Sequence, residues 1–499
     1  MNLITIYLLS IVFAFEFNPD EYNIEPPLTE AIPPKEDPFY IPPSNLSKYQ
    51  NGHIIKLRET TKLRNLIFPI KIQSSWQFMV SSRNSLDDPT VVIVSLLIPF
   101  NANFKKILSF QTFEDSPSLN CAPSYGLLKG SNLKATPLDT NFILSGLKNG
   151  WIVIVPDYES NLSSFGIGLT AGKSVLDSIK AILSLQCFPR FPRVVLWGYS
   201  GGAYASVWAA SILSSYSPEL SKYIVGVAAG GTPTNFTNIF IDTDETMNSA
   251  LIPLTLLGIG NERPEFIEYL RSQVQDPKKM YLIEQKLCLI DARLKLANVN
   301  YFNDGVFESI HVLDGVRDIL NQQDLLYVAR KFIPTNIPIL FYHYMFDDET
   351  RFNDVLELFK IWCEYDDVNI QLSVDTLSGS HIGQAILGSP LAFSWLRDRL
   401  NGKELTNDNC VLIEKKSNLM YPGVTKGIIN LLGGIGKSIL KLKLGPREKL
   451  KKKLKKKLSA TDKENDELDL EQIDKLLLNE KDAFYANMTN QTIFDLVMR

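Results

Sequence analysis

Residues 193–205 read RVVLWGYSGGAYA, a stretch that joins an apolar, β-branched run to a run of small, helix-forming residues. Between the two runs lies the pattern Gly198-x-Ser200-x-Gly202. Small residues on both sides of the serine let a strand and a helix meet in the sharp turn called a nucleophile elbow. The serine hydroxyl then projects above the sheet, at the positive end of the following helix. The stretch therefore predicts a serine hydrolase with Ser200 as its nucleophile.

Apolar runs elsewhere in the chain predict the rest of a sheet. They lack a strict alternation of apolar and polar residues, which is typical of parallel strands buried on both faces. Segments 171–185 and 203–216 favour helices and alternate with these runs, which indicates strand–helix–strand crossovers. We expect an α/β protein with the α/β-hydrolase fold, a mostly parallel central sheet flanked by helices. The predicted strands are 91–98, 107–111, 151–155, 194–197, 223–227, 337–342 and 370–374.

The composition divides the chain into segments. The first apolar run is too short to span a bilayer and predicts a signal peptide, with a buried N-terminal strand as the alternative. A Pro-rich stretch after it predicts an extended arm. A helix-rich segment interrupts the strand series and predicts a cap, with an ordinary helical layer as the alternative. The expected organisation is a signal peptide at 1–14, an arm at 15–60, the hydrolase core at 61–229 and 333–421, a helical cap or lid at 230–332, and a Lys-rich then acidic C-terminal extension at 422–499.

A serine becomes a good nucleophile only with a base and a carboxylate that orients the base. In this fold the chain order is serine, acid, histidine. Of the four histidines, only His381 follows the last predicted strand, and we expect it to be the base. The acid should follow the strand at 337–342, where Asp347, Asp348 and Glu349 are consecutive. Spacing alone leaves the choice among these three carboxylates open.

The cysteines and the glycosylation sequons are compatible with export. Four of the five cysteines could form two disulfides in an oxidising compartment, although the sequence does not define their pairing. The net charge of −4 gives no general attraction to nucleic acid, and no later segment is long and apolar enough for a transmembrane helix. We expect a secreted, extracellular protein. The candidate glycosylation sites are Asn45, Asn161, Asn235, Asn487 and Asn490.

The chain resembles the fungal secretory lipases of the yeast lipase A type over about residues 60–415. The similarity includes FEDSPSLNCAPSY at 113–125, GYSGGA at 198–203 and GGTP at 230–233. This resemblance implies an α/β-hydrolase with a helical cap, an extracellular location and the hydrolysis of triacylglycerol esters. The mechanism expected for such an enzyme requires no metal and no cofactor.

Carried over residue by residue, the resemblance assigns Ser200 as the nucleophile and His381 as the base. The His-x-x-x-Asp-Glu motif of the family, aligned on His343 without a gap, implies Asp347 as the catalytic acid. Asp348 requires a one-residue gap and is the second choice. The chain departs from the family at the last position of this motif and after it, where it reads DDETRF at 347–352.

The resemblance also implies an oxyanion hole and a disulfide pattern. The backbone N–H of Gly201 should be one donor to the oxyanion, and the family match places the other at Asp115. Cys187 would stay unpaired, and we expect it to be a small buried apolar residue. The implied disulfides are Cys121–Cys288 and Cys363–Cys410.

The residues and the resemblance together predict a triacylglycerol lipase that acts at oil–water or lipid interfaces through a Ser-His-Asp acyl-enzyme. A short-chain carboxylesterase or acyltransferase with the same triad is the alternative, and an inactive surface protein with the same fold is a second one. The apolar segment 251–260 would line an acyl-chain channel, form a lid, or simply pack inward. The Lys-rich part of the C-terminal extension would dock on anionic surfaces or remain a solvated tail.

Overall fold

A central β-sheet organises the protein. The computed structural model describes residues 22–446 apart from 61, 66–67, 133–135, 404 and 406–409. The strands in that part of the chain are β1 (Ile54–Glu59), β2 (Leu63–Asn65), β3 (Phe68–Ile70), β4 (Ser74–Arg83), β5 (Pro89–Ile98), β6 (Asn103–Gln111), β7 (Trp151–Pro156), β8 (Arg193–Tyr199), β9 (Ile224–Gly230), β10 (Pro338–Tyr344), β11 (Asn369–Asp375) and β12 (Val411–Lys415). Ten of them form one sheet in the order β1-β4-β5-β7-β6-β8-β9-β10-β11-β12, and β2 pairs with β3 separately.

The strand pairings explain why the sequence pattern identified the centre of the sheet. Every pairing from β7 through β12 is parallel, and every residue of β7 is buried, as expected for a strand covered on both faces. Strands β1, β4 and β5 pair antiparallel with one another, and β5 also pairs antiparallel with β7. All seven predicted strands are present, and the mostly parallel sheet is confirmed. Three strands of the sheet, β1, β4 and β12, were not predicted.

Two layers of helices cover the sheet. The helices in the described residues are α1 (Pro123–Gly126), α2 (Thr136–Lys148), α3 (Gly168–Leu183), α4 (Gly201–Tyr216), α5 (Phe236–Thr243), α6 (Leu251–Glu262), α7 (Pro264–Ser272), α8 (Leu289–Leu296), α9 (Arg317–Asn321), α10 (Phe352–Trp362), α11 (His381–Leu400) and α12 (Val424–Ile439). Helices α3 and α4 share one apolar core with side chains such as Ile154 and Leu196. Helices α2, α11 and α12 share the other with Val153 and Val195. Neighbouring residues of one strand thus face opposite layers.

The segment between β9 and β10 is helical, as its sequence predicts, and contains α5 to α9. Helix α6 carries the apolar run 251–260, and this run is almost entirely buried. The helix packs closely at Gly258, where an added Cβ would lie only 2.3 Å from the carbonyl oxygen of Phe165. The run therefore faces the protein interior. No helix in the described part of the chain combines the length and apolar content needed to cross a membrane.

The elements at the two ends of the described chain lie close to two of the expected segment boundaries. Strand β1 lies at residues 54–59, within the expected arm, and pairs with β4 in the main sheet. Helix α12, within the expected C-terminal extension, packs against α2 and α11 and buries Val424 and Leu431. The predicted signal peptide, the rest of the Lys-rich and acidic extension, and Asn487 and Asn490 lie outside the described residues.

The cysteines pair as the resemblance implies. One disulfide joins Cys121, which follows β6, to Cys288 in the helical segment, and the other joins Cys363 to Cys410. Each closes a long loop of the chain, which restricts the unfolded state. Cys187 is unpaired as expected, but it is exposed, which corrects the expectation that it is buried. It lies between α3 and β8, where the chain runs over the surface.

Candidate active site

The turn between β8 and α4 holds Ser200 in a strained conformation. Its φ is 52° and its ψ is −123°, a region that favours glycine over residues with a side chain. The backbone N–H of Ser200 donates to the carbonyl of Gly230 at 2.9 Å, which fastens the turn to β9. A Cβ on Gly198 or on Gly202 would lie 2.0 Å from a neighbouring carbonyl oxygen. Glycine is therefore required at both positions for the strand and the helix to approach.

Ser200 meets His381 and Asp347, although the three residues lie far apart in the chain. His381 begins α11, and its Nε2 lies 2.9 Å from Ser200 Oγ. Its Nδ1 lies 2.9 and 2.8 Å from the two carboxylate oxygens of Asp347, in the loop after β10. The side chains of His381 and Asp347 are almost completely buried. The three groups form one continuous line of hydrogen bonds.

The two carboxylates next to Asp347 have different partners. Asp348 accepts a hydrogen bond from the backbone N–H of His381 at 2.7 Å, so it contacts the main chain and not the imidazole. Glu349 accepts two hydrogen bonds of 2.8 Å from Arg293 of α8. Asp347 itself accepts hydrogen bonds from the backbone of Glu349 and Thr350, which fix its orientation. The geometry thus distinguishes three adjacent acids that spacing did not.

The electrostatic surroundings of His381 favour its charged form. Burial opposes a charge on the imidazole, but the carboxylates of Asp347 and Glu349 outweigh burial and raise the pKa of His381 to about 9. Burial also opposes the charge on Asp347, but His381 outweighs this effect and holds the pKa of Asp347 well below its usual range. The pKa of His343, the other histidine near this site, is lowered by burial. The carboxylate of Asp347 is therefore ionised at neutral pH, where it stabilises positive charge on His381.

Asp115 lies beside Ser200 and has an unusual carboxyl group. Its φ is 46°, and its Oδ1 is buried without a hydrogen-bond partner. A Cβ on Gly201 would lie 1.8 Å from that oxygen, so Asp115 fills the space that a side chain at 201 would need. Burial raises the pKa of Asp115 to about 7. A large part of Asp115 is therefore protonated at neutral pH and has a proton to donate.

Further buried acids lie behind Asp115. Burial raises the pKa values of Glu114, Asp139 and Glu159 well above their usual range, and that of Asp157 to about 7. Asp157 accepts hydrogen bonds from the backbone and hydroxyl of Ser124, whereas one oxygen of Glu114 and one of Glu159 have no partner. Neutral carboxyls suit this buried environment better than ionised ones. Among the described residues, no group of three or more potential metal ligands is found.

A pocket opens directly onto Ser200. It has an empty volume of about 310 Å³, including the part open to solvent. Its wall on the side of the helical segment is apolar apart from Thr255, and its other polar groups belong to the site. The lining residues are Asp115, Phe165, Ser200, Gly201, Pro233, Phe236, Ile239, Leu251, Thr255, Glu349 and Thr350. Such a pocket suits an apolar chain whose reacting carbonyl lies at Ser200.

The structure brings all five predicted reaction-centre residues together, including Asp115 and Gly201. The loop 345–351, between β10 and α10, is the acid loop. Its contacts with the helical segment were not predicted. Asn248 donates to Asp348 at 3.4 Å and accepts from Arg293 at 2.8 Å, and Arg293 also binds Glu349. The run of three acids at 347–349 is the one sequence feature that favours a cation such as Arg293 nearby. The fold and this arrangement define a serine hydrolase of the α/β-hydrolase class.

Comparisons with known proteins identify the family. The secretory lipase family model matches residues 129–408. The chain is 36% identical to Lipase 1 of Candida albicans over 432 residues, which cover 84% of this chain and 92% of that relative. It is 35% identical to Lipase 6 of the same yeast over 425 residues, 83% and 91% of the two chains. The chain belongs to the secretory lipase family and is a lipase, an ester hydrolase.

Solved structures agree with the fold. The structure of Candida antarctica lipase A in its closed state matches with a TM-score of 0.71 and 24% identity, over 81% of this chain and 95% of that one. An esterase from Xanthomonas oryzae, LipA, matches with a TM-score of 0.53 and 16% identity, over 72% of this chain and all of that one. The α/β-hydrolase fold predicted from the sequence is confirmed.

Proposed function

We propose that this lipase hydrolyses triacylglycerol esters through an acyl-enzyme on Ser200, with His381 as general base and Asp347 as the orienting acid. The hydrogen-bond line from Ser200 Oγ to His381 at 2.9 Å, and on to Asp347 at 2.8 Å, carries this proposal. A histidine held in this way can take a proton from serine on one side while a carboxylate stabilises its charge on the other.

In the acylation step, Ser200 Oγ attacks the carbonyl carbon of the ester as His381 Nε2 accepts the hydroxyl proton. Asp347 accepts the hydrogen bond from Nδ1–H and so selects the tautomer in which Nε2 can act as a base. The tetrahedral intermediate collapses when the carbon–oxygen bond to the alcohol breaks, and His381 returns its proton to the departing alkoxide. A water molecule then repeats the sequence on the acyl-enzyme, releases the fatty acid and restores Ser200.

We assign the oxyanion hole to Gly201 and Asp115. The backbone N–H of Gly201 starts α4, where the helix dipole also favours negative charge. The backbone N–H of Asp115 faces the carboxylate of Glu159, so the group free to donate at this position is the protonated carboxyl of Asp115. Removing one such donor typically lowers the rate about 10²–10³-fold.

This assignment gives the reaction a defined pH dependence. The active form needs a proton on Asp115 and none on His381. Their pKa values are about 7 and about 9. The value of kcat/KM should therefore pass through a maximum near pH 8, about halfway between the two.

The helical segment at 230–332 would act as a cap that supplies the acyl-chain wall. Phe236 and Ile239 of α5 and Leu251 of α6 line the pocket opposite the serine. Their apolar surface would bind a fatty acyl chain in preference to water. The buried run of α6 supports a role as the fixed wall of this pocket more than as an exposed lid.

We further propose that the protein is secreted and acts at lipid surfaces. Two disulfides and the secretory family to which the chain belongs support export. Docking of the Lys-rich segment 440–458 on an anionic surface is proposed from the sequence, and most of that segment lies outside the described residues. Of the five sequons, glycosylation is proposed at Asn45, Asn161, Asn487 and Asn490. Asn235 is left out because its side chain accepts a hydrogen bond from the backbone N–H of Asn238 at the start of α5.

Labelling with a fluorophosphonate probe, followed by assays on soluble short-chain and emulsified long-chain esters, tests the proposed function. We expect the wild type to be labelled at Ser200, the Ser200→Ala variant to be unlabelled, and the emulsified substrates to be hydrolysed. Activity confined to soluble esters would favour the carboxylesterase alternative. A wild type without label at Ser200 would refute the mechanism.

A further inference from the structure

A second carboxylate lies beside His381, on the side of the ring that faces the nucleophile. Glu349 Oε2 is 3.8 Å from His381 Nε2, the same nitrogen that lies 2.9 Å from Ser200 Oγ. Asp347 contacts Nδ1, on the opposite side of the imidazole. Both nitrogens of the ring thus face a carboxylate, and the one near Nε2 also lines the substrate pocket.

The helical segment holds Glu349 in this place. Arg293 of α8 donates to both oxygens of Glu349 at 2.8 Å, and it also donates to Asn248 at 2.8 Å. Only 3% of the Glu349 side chain is exposed, so its carboxylate cannot turn into solvent without losing Arg293. At 3.8 Å the carboxylate is too far from Nε2 for a hydrogen bond, so it does not compete with Ser200 for that nitrogen. It acts on the ring by charge alone.

We propose that Glu349 is a positioning carboxylate that stabilises the protonated form of His381 from the Nε2 side, and that Arg293 fixes its distance and moderates its charge. The proton that leaves Ser200 arrives on Nε2, so a negative charge near this atom favours the intermediate in which His381 is protonated. This inference rests on the proposed function, because it assumes that His381 is the base.

Other charged groups also change the pKa of His381, so the effect of Glu349 must be considered together with theirs. The carboxylates of Asp347 and Glu349 raise its pKa against the effect of burial, and Arg293 lowers it. Burial has the largest effect on Asp115 and raises its pKa, whereas Arg293 lowers that pKa. Glu349 raises it by a smaller amount. The titratable or charged groups that face His381 are Asp347, Asp348 and Glu349 of the acid loop, Arg293 of α8, Asp115 after β6, His343 of β10 and Tyr199 of β8.

The Glu349→Gln variant tests the proposal because glutamine keeps the size of the side chain and an oxygen that accepts from Arg293, but removes the charge. A charge at this distance typically moves a pKa by about 1–3 units. Since Glu349 raises the pKa of both His381 and Asp115, the optimum of kcat/KM on a soluble ester should move to lower pH by about one unit. The maximal rate should fall, because the imidazolium is stabilised less.

Matched variants separate charge from structure. Asp242 forms another ion pair between the helical segment and the acid loop, with Arg351, at a partly exposed place away from His381. Asp242→Asn removes this ion pair and should leave the pH optimum unchanged. Glu349→Asp keeps the charge and should keep the optimum closer to that of the wild type than Glu349→Gln does. Melting temperatures of all variants show whether each one folds.

The outcomes are distinct. An optimum for Glu349→Gln equal to that of the wild type, with only a lower melting temperature, would show a structural role and overturn the proposal. If Glu349→Gln fails to fold, an optimum for Glu349→Asp that is displaced as far as one unit would overturn it as well. Failure of the proposed function looks different, because Ser200→Ala would then be as active as the wild type at every pH.

Discussion

The assignment of the catalytic acid can be tested with two neighbouring residues that differ only in what they contact. Asp347→Asn replaces the carboxylate that accepts from His381 Nδ1, at 2.8 Å, with a group that can also donate. The imidazole can then take the wrong tautomer, and the loss of such an orienting acid costs about 10⁴-fold in kcat. This factor corresponds to about 5 kcal/mol of transition-state stabilisation.

Asp348→Asn should have a much smaller effect. Asp348 accepts one hydrogen bond from the backbone of His381 at 2.7 Å, and an asparagine oxygen can accept the same bond. The loss is the difference between a hydrogen bond to a charged and to a neutral acceptor, about 1 kcal/mol, or roughly fivefold in rate. The two variants should therefore differ by about three orders of magnitude, although both remove one negative charge from the same loop.

The measurement is kcat/KM on a soluble ester near pH 8, together with the rate of fluorophosphonate labelling and a thermal melt of each variant. Similar melting temperatures would show that a difference in rate reflects chemistry. Equal losses in the two variants, or a larger loss in Asp348→Asn, would refute the assignment of Asp347. The alignment alternative, in which Asp348 is the acid, predicts that larger loss.

The protein should melt at a higher temperature at pH 5 than at pH 8, because buried acids whose pKa is raised in the fold stabilise it at low pH and lose that contribution as the pH rises through about 7. Asp157→Asn should flatten this dependence, and an equally steep profile in the variant would contradict the explanation. Replacing Cys363 and Cys410 by alanine should lower the unfolding free energy by about 4 kcal/mol in denaturant titrations, given a sequence separation of 47; no loss would contradict the loop-entropy argument. Asn45 is exposed, whereas the Asn235 side chain caps α5. In the secreted protein, Asn45→Gln should therefore reduce the glycan mass and Asn235→Gln should not.

The sequence predicted what depends on local pattern. The nucleophile elbow was predictable because the strand, the glycines and the helix are contiguous around Ser200. The buried strands were predictable because a strand covered on both faces is apolar throughout. Strands β4 and β12 were not predicted because neither has a long continuous apolar run. Strand β4 contains many serines, and β12, VLIEK, is largely exposed.

The remaining features depend on contacts between distant parts of the chain. Asp347, Asp348 and Glu349 are adjacent in sequence, but their roles differ because each meets a different partner. No local pattern around Arg293 indicates that it binds Glu349. The unpartnered oxygen of Asp115 likewise follows from the packing of α4 against the loop after β6. Family resemblance supplied Asp115 and the disulfide pairs, which spacing could not.

The positive φ of Ser200 lowers the stability of the fold at the position that the proposed mechanism needs. A residue with a side chain pays of order 1–3 kcal/mol for such a backbone conformation, and glycine does not. With Ser200 as the proposed nucleophile, a variant with glycine at this position should be more stable and inactive. A screen that selects for thermal stability alone would therefore favour inactive variants at this residue. Engineering for heat tolerance should seek its gains at other positions.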